Sequence, residues 1–209
     1  QYEIEERYQI YGKKRFISMI GTYAAAYRKE VFLNNGMFDT SFPIASGEDF
    51  AFSGKLALQG YKMVFVHRAV CYHRHPDSIS GYFRQKYLRA YWRNLLYKNN
   101  TNIMLKDDYT PQMLKLQVGL TLLLPFFLLA IICLSLNGFA THALSVLLVW
   151  IFVFLVSTVP LFKIILKRSI TLSILTPLFA LLRSTALAYG LFAGFIHQFS
   201  SLKRIGSST

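Results

Sequence analysis

The feature that most restricts the fold of this chain is the absence of acidic residues from its second half. All ten Asp and Glu residues lie between Glu3 and Asp108, whereas residues 113–209 carry seven Lys or Arg and no acid. Within that half, residues 116–136 form a run of 21 without a charge, and residues 143–162 form a run of 20. Each run is long enough to cross about 30 Å of hydrocarbon as a helix. The sequence therefore predicts a helical hairpin in a membrane.

A third apolar segment is predicted as a kinked membrane helix, because Pro177 can bend it and Arg183 interrupts it. A complete crossing would leave Lys203 and Arg204 outside, whereas a re-entrant path would return them to the cytoplasm. Arg183 is either a functional residue or an anchor whose charged end reaches the head groups. The predicted membrane domain, residues 111–209, contains helices at about 113–136, 143–162 and 170–199.

The distribution of basic residues predicts the orientation of the chain. Lys163, Lys167 and Arg168 follow the second apolar run, whereas the loop 137–142 has no Lys or Arg. The positive-inside rule then places residues 1–112 in the cytoplasm. We expect a multi-pass protein of the plasma (inner) membrane, with membrane lipids among its partners. The net charge of +13 is dispersed and not gathered into one basic tract, so we expect no nucleic acid partner.

The first 110 residues predict an α/β fold. Residues 16–26 and 61–72 are rich in β-branched and aromatic side chains, which is typical of buried strands. Residues 27–34 and 50–60 have apolar side chains at helical spacing, and residues 80–98 form a basic and aromatic amphipathic helix. We therefore predict an α/β soluble part, followed by an all-α transmembrane region.

The strongest candidate for chemistry in this part is the carboxylate pair Glu48 and Asp49, directly after Gly47. A carboxylate within hydrogen-bond reach can accept a proton from a reacting hydroxyl. The alternative is structural, because acidic residues in the first turn of a helix complement the positive end of its dipole. On residue type alone, both interpretations stay open.

The order of motifs resembles the acceptor half of inverting family 2 glycosyltransferases, which have the Rossmann-like GT-A fold. The matching stretches are GTYAAAYRKEVFLNNGMFD, GEDFAFSGKLALQGYKMVFVHRAVCYHRHP and YFRQKYLRAYWR, all within residues 16–100. The resemblance implies that residues 1–110 are the acceptor half of such a domain. It further implies transfer of a sugar from a nucleotide-diphosphate donor to a lipid-linked or cell-envelope glycan acceptor, with Mg²⁺ or Mn²⁺ as cofactor.

The resemblance also implies roles for individual residues. Asp49 would be the catalytic base, Glu48 would shape the acceptor pocket, and His73 would lie near the metal or the diphosphate. Arg84, Gln85 and Arg89 stand where membrane synthases of this family carry a Gln-x-x-Arg-Trp motif, but the spacing departs from that motif. The implied substrate-binding residues are Gly21, Thr22, Gly47, Arg84, Gln85 and Arg89.

Two other functions remain possible at this stage. A processive polysaccharide synthase is disfavoured by the altered Gln-x-x-Arg-Trp spacing. A non-catalytic membrane adaptor would follow if the natural polypeptide started near Gln1, because the family's nucleotide-binding strands and Asp-x-Asp motif lie upstream of the matching pattern. Since the first residue is not Met, we expect the chain to begin inside a longer polypeptide, whose N-terminal half binds the nucleotide.

Overall fold

The computed structural model describes residues 2–42, 46–99 and 109–206. At positions 95, 96, 98, 99 and 199–206 it describes the backbone only. Within the described residues one 3₁₀ turn, Thr22–Ala24, accompanies the α-helices. In chain order, the helices of the described residues are α1 (Tyr2–Tyr11), α2 (Lys29–Asn34), α3 (Glu48–Leu58), α4 (Ile79–Asn99), α5 (Gln112–Leu136), α6 (Ala140–Leu166), α7 (Ile170–Ile174) and α8 (Thr176–Gly206).

The predicted α/β, Rossmann-like soluble part is wrong, because the described residues contain no β-strand. The two segments predicted as strands meet only at one antiparallel bridge, between Ile17 and Met63. Beyond that bridge the second segment is largely exposed, with Val66 at 54% and Val70 at 69%. An isolated pair of extended segments is marginally stable, and no described residue supplies a third strand. The soluble part is therefore helical, with extended connections.

A small aromatic core surrounds α3. Phe52 and Leu56 of this helix are buried against Tyr11, Ile17 and Met63. The rings of three further residues pack edge-on or nearly so around Phe52, with centroids 5.1–5.5 Å away. Aromatic pairs in this geometry are stabilising beyond the apolar area that they bury. Together these contacts fix α3, and with it the acidic pair at its start. The three rings are those of Tyr27, Phe32 and Phe38.

In the part of the chain that the structure describes, three helices are long and apolar enough to cross a membrane: α5, α6 and the segment Thr176–Gln198 of α8. Helices α5 and α6 form an antiparallel hairpin. The Gln117 side chain donates to the Ser157 carbonyl oxygen over 3.2 Å, and the Trp150 indole donates to the Leu120 carbonyl oxygen over 3.3 Å. Membrane association is therefore indicated by the length and composition of these helices.

Helix α8 lies close against α4. A Cβ atom added to Gly190 would overlap the Tyr87 carbonyl oxygen, and one added to Gly194 would overlap the Asn94 side chain. The Asn94 amide also donates to the Leu191 carbonyl oxygen over 3.1 Å. The two glycines therefore let α8 approach the charged helix α4 at backbone distance.

Helix α8 packs against the half of the hairpin that is nearer the soluble part. Near its start, Phe179 packs against a cluster that contains Leu161 and Ile165, from the last two turns of α6. Twelve residues later, Leu191 packs against a cluster that contains Leu114, from the first turn of α5. Residues twelve apart on a helix are about 18 Å apart. Between these two points, Thr121 in the third turn of α5 donates to the Ser184 hydroxyl over 3.1 Å, so α8 packs along the first three turns of α5.

Helix α1 is tied to the same end of the bundle. The Tyr2 ring stacks on Phe179 with centroids 4.1 Å apart. Arg183 of α8 donates to Glu6 over 2.7 Å, and both side chains are buried. Arg168, just after α6, pairs with Glu5 over 3.0 Å. These contacts join the soluble part to the apolar helices.

Candidate active site and adjoining basic cavity

The turn before α3 depends on Gly47. Its φ of 111° is in the left-handed region, and a Cβ atom there would lie 3.1 Å from the Phe42 ring. A side chain at this position would be strained by its backbone conformation as well as crowded. The turn places Glu48 and Asp49 in the first turn of α3. The structural interpretation of the pair as a helix start is thus confirmed, and it is compatible with a catalytic role.

Asp49 is held by the 3₁₀ turn that begins at Thr22. One carboxylate oxygen accepts from the Thr22 backbone N–H over 3.1 Å and from the Thr22 hydroxyl over 3.4 Å. The other carboxylate oxygen accepts from the Phe50 N–H over 2.8 Å. A Cβ atom on Gly21 would lie 2.7 Å from the Tyr23 ring, so this glycine makes room for a side chain of the same turn. The structure therefore brings Gly21 and Thr22 next to Asp49.

Two buried polar atoms around Asp49 have no partner among the described residues. They are one carboxylate oxygen of Glu48 and the hydroxyl of Tyr27. Burial, together with the negative charge of Asp49, raises the pKa of Tyr27 to about 12, so its hydroxyl stays protonated. Buried polar groups without partners are uncommon in proteins and call for an explanation such as a ligand. Glu48 and Tyr27 therefore mark a place where a polar substrate group could bind.

His73 lies on the other side of the same turn. Its ring stacks on Tyr23 with centroids 6.1 Å apart, and it contacts His75 edge-on at 4.9 Å. The Tyr23 hydroxyl accepts from Arg7 over 2.5 Å. Among the described residues, no three His, Cys, Asp or Glu side chains come together as a metal site. The predicted Mg²⁺ or Mn²⁺ therefore does not fit the residues described around His73, and we derive no step through a metal.

The three residues predicted on α4 have different surroundings. Arg89 lines a cavity beside α3, whereas Arg84 is exposed and, like Gln85, does not line it. No described contact joins Arg84 or Gln85 to Asp49. Helix α4 departs from the Gln-x-x-Arg-Trp spacing. Its side chains that line the cavity are those at positions 86, 89, 90, 93 and 97.

The cavity has a volume of about 310 Å³ and lies between α1, α4, α5 and α8. Phe50, the chain neighbour of Asp49, forms part of its wall. Its charged lining has six cations and two carboxylates, an excess of four positive charges. The charged residues are Arg7, Lys86, Arg89, Arg93, Lys115 and Arg183, with Glu3 and Glu6. Its apolar lining includes Leu114, Val118, Leu122, Leu187 and Leu191.

Each of the two carboxylates forms an ion pair with one cation of the lining. Lys86 pairs with Glu3 over 2.5 Å, and Tyr82 donates to the other oxygen of Glu3 over 2.8 Å. Burial alone would raise the pKa of Glu3, but the charges of Lys86 and Arg183 outweigh it and lower this pKa to about 2. Burial lowers the pKa of Lys86 to about 8 in spite of Glu3. At pH 7 both partners are therefore charged.

The sequence model of glycosyl transferase family group 2 matches residues 7–197, which is 191 of the 209 residues (197 − 7 + 1). The chain belongs to this family. The predicted resemblance to family 2 glycosyltransferases is thereby confirmed. Membership in family group 2 supports a glycosyl transfer function, with a nucleotide sugar and an acceptor as substrates. No curated protein and no solved structure matches the chain.

Sequence reasoning missed most of the basic cavity. Glu3, Glu6, Arg7 and Lys86 were not predicted as site residues, although all four line it. The available signal was periodicity: positions 3, 6, 7 and 10 share one face of α1, and positions 86, 89 and 93 share one face of α4. The sequence alone does not indicate that these two faces meet over α5 and α8.

Proposed function

We propose that this protein transfers a sugar from a nucleotide-diphosphate donor to a hydroxyl of a lipid-linked or cell-envelope glycan acceptor, with inversion at the anomeric carbon. The observation that carries the proposal is the position of Asp49, held by Thr22 at the start of α3 beside two unpartnered polar atoms. Family membership supports the reaction class. Asp49 is the proposed general base, and Glu48 is proposed to orient the acceptor.

The reaction is a single displacement. The acceptor hydroxyl oxygen attacks the anomeric carbon and forms the new glycosidic bond, while the bond from that carbon to the diphosphate oxygen breaks. The hydroxyl proton passes to Asp49, and the electron pair of the broken bond leaves with the nucleotide diphosphate. A positioned carboxylate contributes about 10²–10⁴-fold to such a step.

The departing nucleotide diphosphate develops negative charge that positive side chains can stabilise. Arg89 is proposed for this contact, since it lines the cavity next to Phe50 and makes no hydrogen bond or ion pair with any described residue. Gly21, Thr22 and Gly47 are proposed to shape the substrate site around Asp49. Arg84 and Gln85 are proposed for more peripheral substrate contacts on α4.

We place residues 1–110 at the cytoplasmic face of the plasma (inner) membrane and residues 111–209 in the membrane domain. The pairing of Arg168 with Glu5 supports this arrangement, because it puts the basic end of α6 on the same side as the soluble part. Nucleotide sugars are then available to Asp49 from the cytoplasm.

The proposed function is tested by Asp49→Asn in the full-length protein. We expect sugar transfer from a radiolabelled nucleotide sugar to fall by at least about 10²-fold, because the amide cannot accept the proton. Binding of the nucleotide donor, measured by calorimetry, should change less than about twofold.

Asp77→Asn is the matched control, because Asp77 is 84% exposed and pairs only loosely with Arg74, at 3.9 Å. This variant should keep full activity. Unchanged turnover in Asp49→Asn would remove Asp49 from its proposed role.

A further inference from the structure

The basic cavity lies at the level where the apolar helices begin. Its α5 lining comes from the first three turns of that helix, between Pro111 and Leu122. Its α8 lining comes from Arg183, Leu187 and Leu191, in the part of α8 that packs along the first three turns of α5. A helix advances 1.5 Å per residue, so the lining of α5 extends about 16 Å along its axis. That distance covers the head-group layer and the adjacent hydrocarbon of a bilayer.

Both carboxylates in the cavity lining are already paired with cations. Glu3 pairs with Lys86 and Glu6 pairs with Arg183. Arg183 is only 2% exposed, and its Nε has no partner among the described residues. Arg89 makes no hydrogen bond or ion pair with any of them. A buried donor without a partner is costly, so the Arg183 Nε beside the unpaired, half-buried Arg89 favours a bound anion.

The opposite wall of the cavity is apolar and reaches the outside of the bundle. Leu114, Val118 and Leu187 form part of this wall, and Leu122 marks its edge with 37% of its surface exposed. Leu122 belongs to the part of α5 that is apolar enough to lie in a membrane. The cavity therefore combines cationic side chains with an apolar lining that is exposed at Leu122.

We propose that this cavity binds the phosphate head group of a membrane lipid, with Arg89 and Arg183 on the phosphate and the hydrocarbon chain along α5 between Val118 and Leu122. A free phosphate would contact only the cationic side chains, and a neutral lipid would contact only the apolar ones. The identification of this ligand as the lipid-linked acceptor rests on the proposed function; the lipid site itself does not. Phe50, which lines the cavity, is the chain neighbour of Asp49.

The test is direct binding of a fluorescent phosphatidic acid to the purified full-length protein in neutral detergent. We expect saturable binding that phosphatidylcholine and inorganic phosphate do not displace at equal concentration. Arg89→Gln should weaken binding about tenfold or more, because it removes a charged donor to the phosphate. Lys163→Gln is the matched control, since Lys163 is exposed near the end of α6 and does not line the cavity. It should change binding less than about twofold.

A second variant tests the apolar wall without removing charge. Gly119 lines the cavity, and a Cβ atom there would meet no heavy atom within 4 Å. Gly119→Leu should therefore fill the cavity and weaken phosphatidic acid binding about tenfold. Ser135→Leu is its control, because Ser135 lies exposed near the other end of α5 and does not line the cavity, and this variant should bind as the unmodified protein does.

Three outcomes would overturn the lipid site. Equal displacement by inorganic phosphate would make it a site for free phosphate, and equal displacement by phosphatidylcholine would make it an unspecific apolar groove. Full binding by both Arg89→Gln and Gly119→Leu would place the lipid elsewhere. The binding assay contains no donor, so it is independent of the loss of transfer expected for Asp49→Asn, and either proposal can fail alone.

Discussion

Asp49 combines two roles that are usually considered as alternatives. As a first-turn residue it complements the dipole of α3, and as an acceptor from Thr22 it fixes the 3₁₀ turn beside it. The same two contacts orient its carboxylate and limit its freedom. A general base must be held within hydrogen-bond reach of the proton that it removes. The structural contacts of Asp49 therefore support its proposed chemistry.

At the residue scale, Tyr27 offers a second test of the site. Its buried hydroxyl has no partner among the described residues, so Tyr27→Phe should leave the thermal midpoint of unfolding unchanged or slightly raised. If the hydroxyl binds the acceptor, the KM for the acceptor should rise about tenfold. Steady-state kinetics and a thermal melt of the same preparation measure the two effects.

Tyr61→Phe is the control for this prediction, because the Tyr61 hydroxyl has a partner within the protein. It accepts from the Asn35 side-chain amide over 3.5 Å. It should leave the KM for the acceptor unchanged. A Tyr27→Phe variant that is less stable and has an unchanged KM would show that the hydroxyl has a structural role only.

The order of motifs implied that Gly21, Thr22 and Asp49 belong to one substrate site, and in the structure Thr22 bonds Asp49 although 27 positions separate them. It was not enough to find Tyr27 or Arg7. An aromatic residue in an apolar stretch looks like core from its sequence, and only its unpartnered hydroxyl shows otherwise. Arg7 looks like a solvated charge, yet its guanidinium lies 4.3 Å from the centre of the Tyr109 ring.

At the scale of elements, the helices were predicted well and the strands were not. Helical spacing is a local property, so the sequence predicted α4 as residues 80–98 against the observed Ile79–Asn99. A strand requires a partner that is distant in sequence, and β propensity mainly reflects that environment. Residues 16–26 and 61–72 have suitable composition, but among the described residues they pair only at Ile17 and Met63.

The contact between α4 and α8 makes a prediction about stability. Gly190→Ala adds a Cβ atom that would overlap the Tyr87 carbonyl oxygen, so the two helices must separate. Overpacking of this kind costs about 1–3 kcal/mol. We expect a lower thermal midpoint in detergent, measured by tryptophan fluorescence.

Gly119→Ala is the matched control, since its Cβ atom would meet nothing within 4 Å and alanine favours a helix over glycine. Its midpoint should stay the same or rise. Equal midpoints for Gly190→Ala and the unmodified protein would argue against the close approach of α4 and α8.

At the scale of the whole molecule, the path of α8 determines how often the chain crosses the membrane. Length and composition alone would let α8 span it. However, α8 contacts α5 only along its first three turns among the described contacts, and it lies against α4 with its charged side chains. Charged side chains are costly in hydrocarbon, so a position at the membrane surface suits this helix pair better. We therefore expect only α5 and α6 to cross.

Cysteine labelling tests this topology. In a background with Cys71 and Cys133 changed to Ser, an impermeant maleimide should label Ser78→Cys and Gly206→Cys from the same side of the membrane. It should label Thr141→Cys, at the far end of the hairpin, from the other side. Labelling of Gly206→Cys together with Thr141→Cys would instead mean that α8 crosses the bilayer.

The exposed edge at Leu122 has a consequence for how a ligand arrives. A lipid entering there diffuses laterally within one leaflet and never passes through water. The quantity that sets occupancy is then its mole fraction among the surrounding lipids, and diluting the vesicles in buffer leaves that fraction constant. Adding inert lipid to the same vesicles lowers it, so saturation follows surface dilution and not bulk dilution.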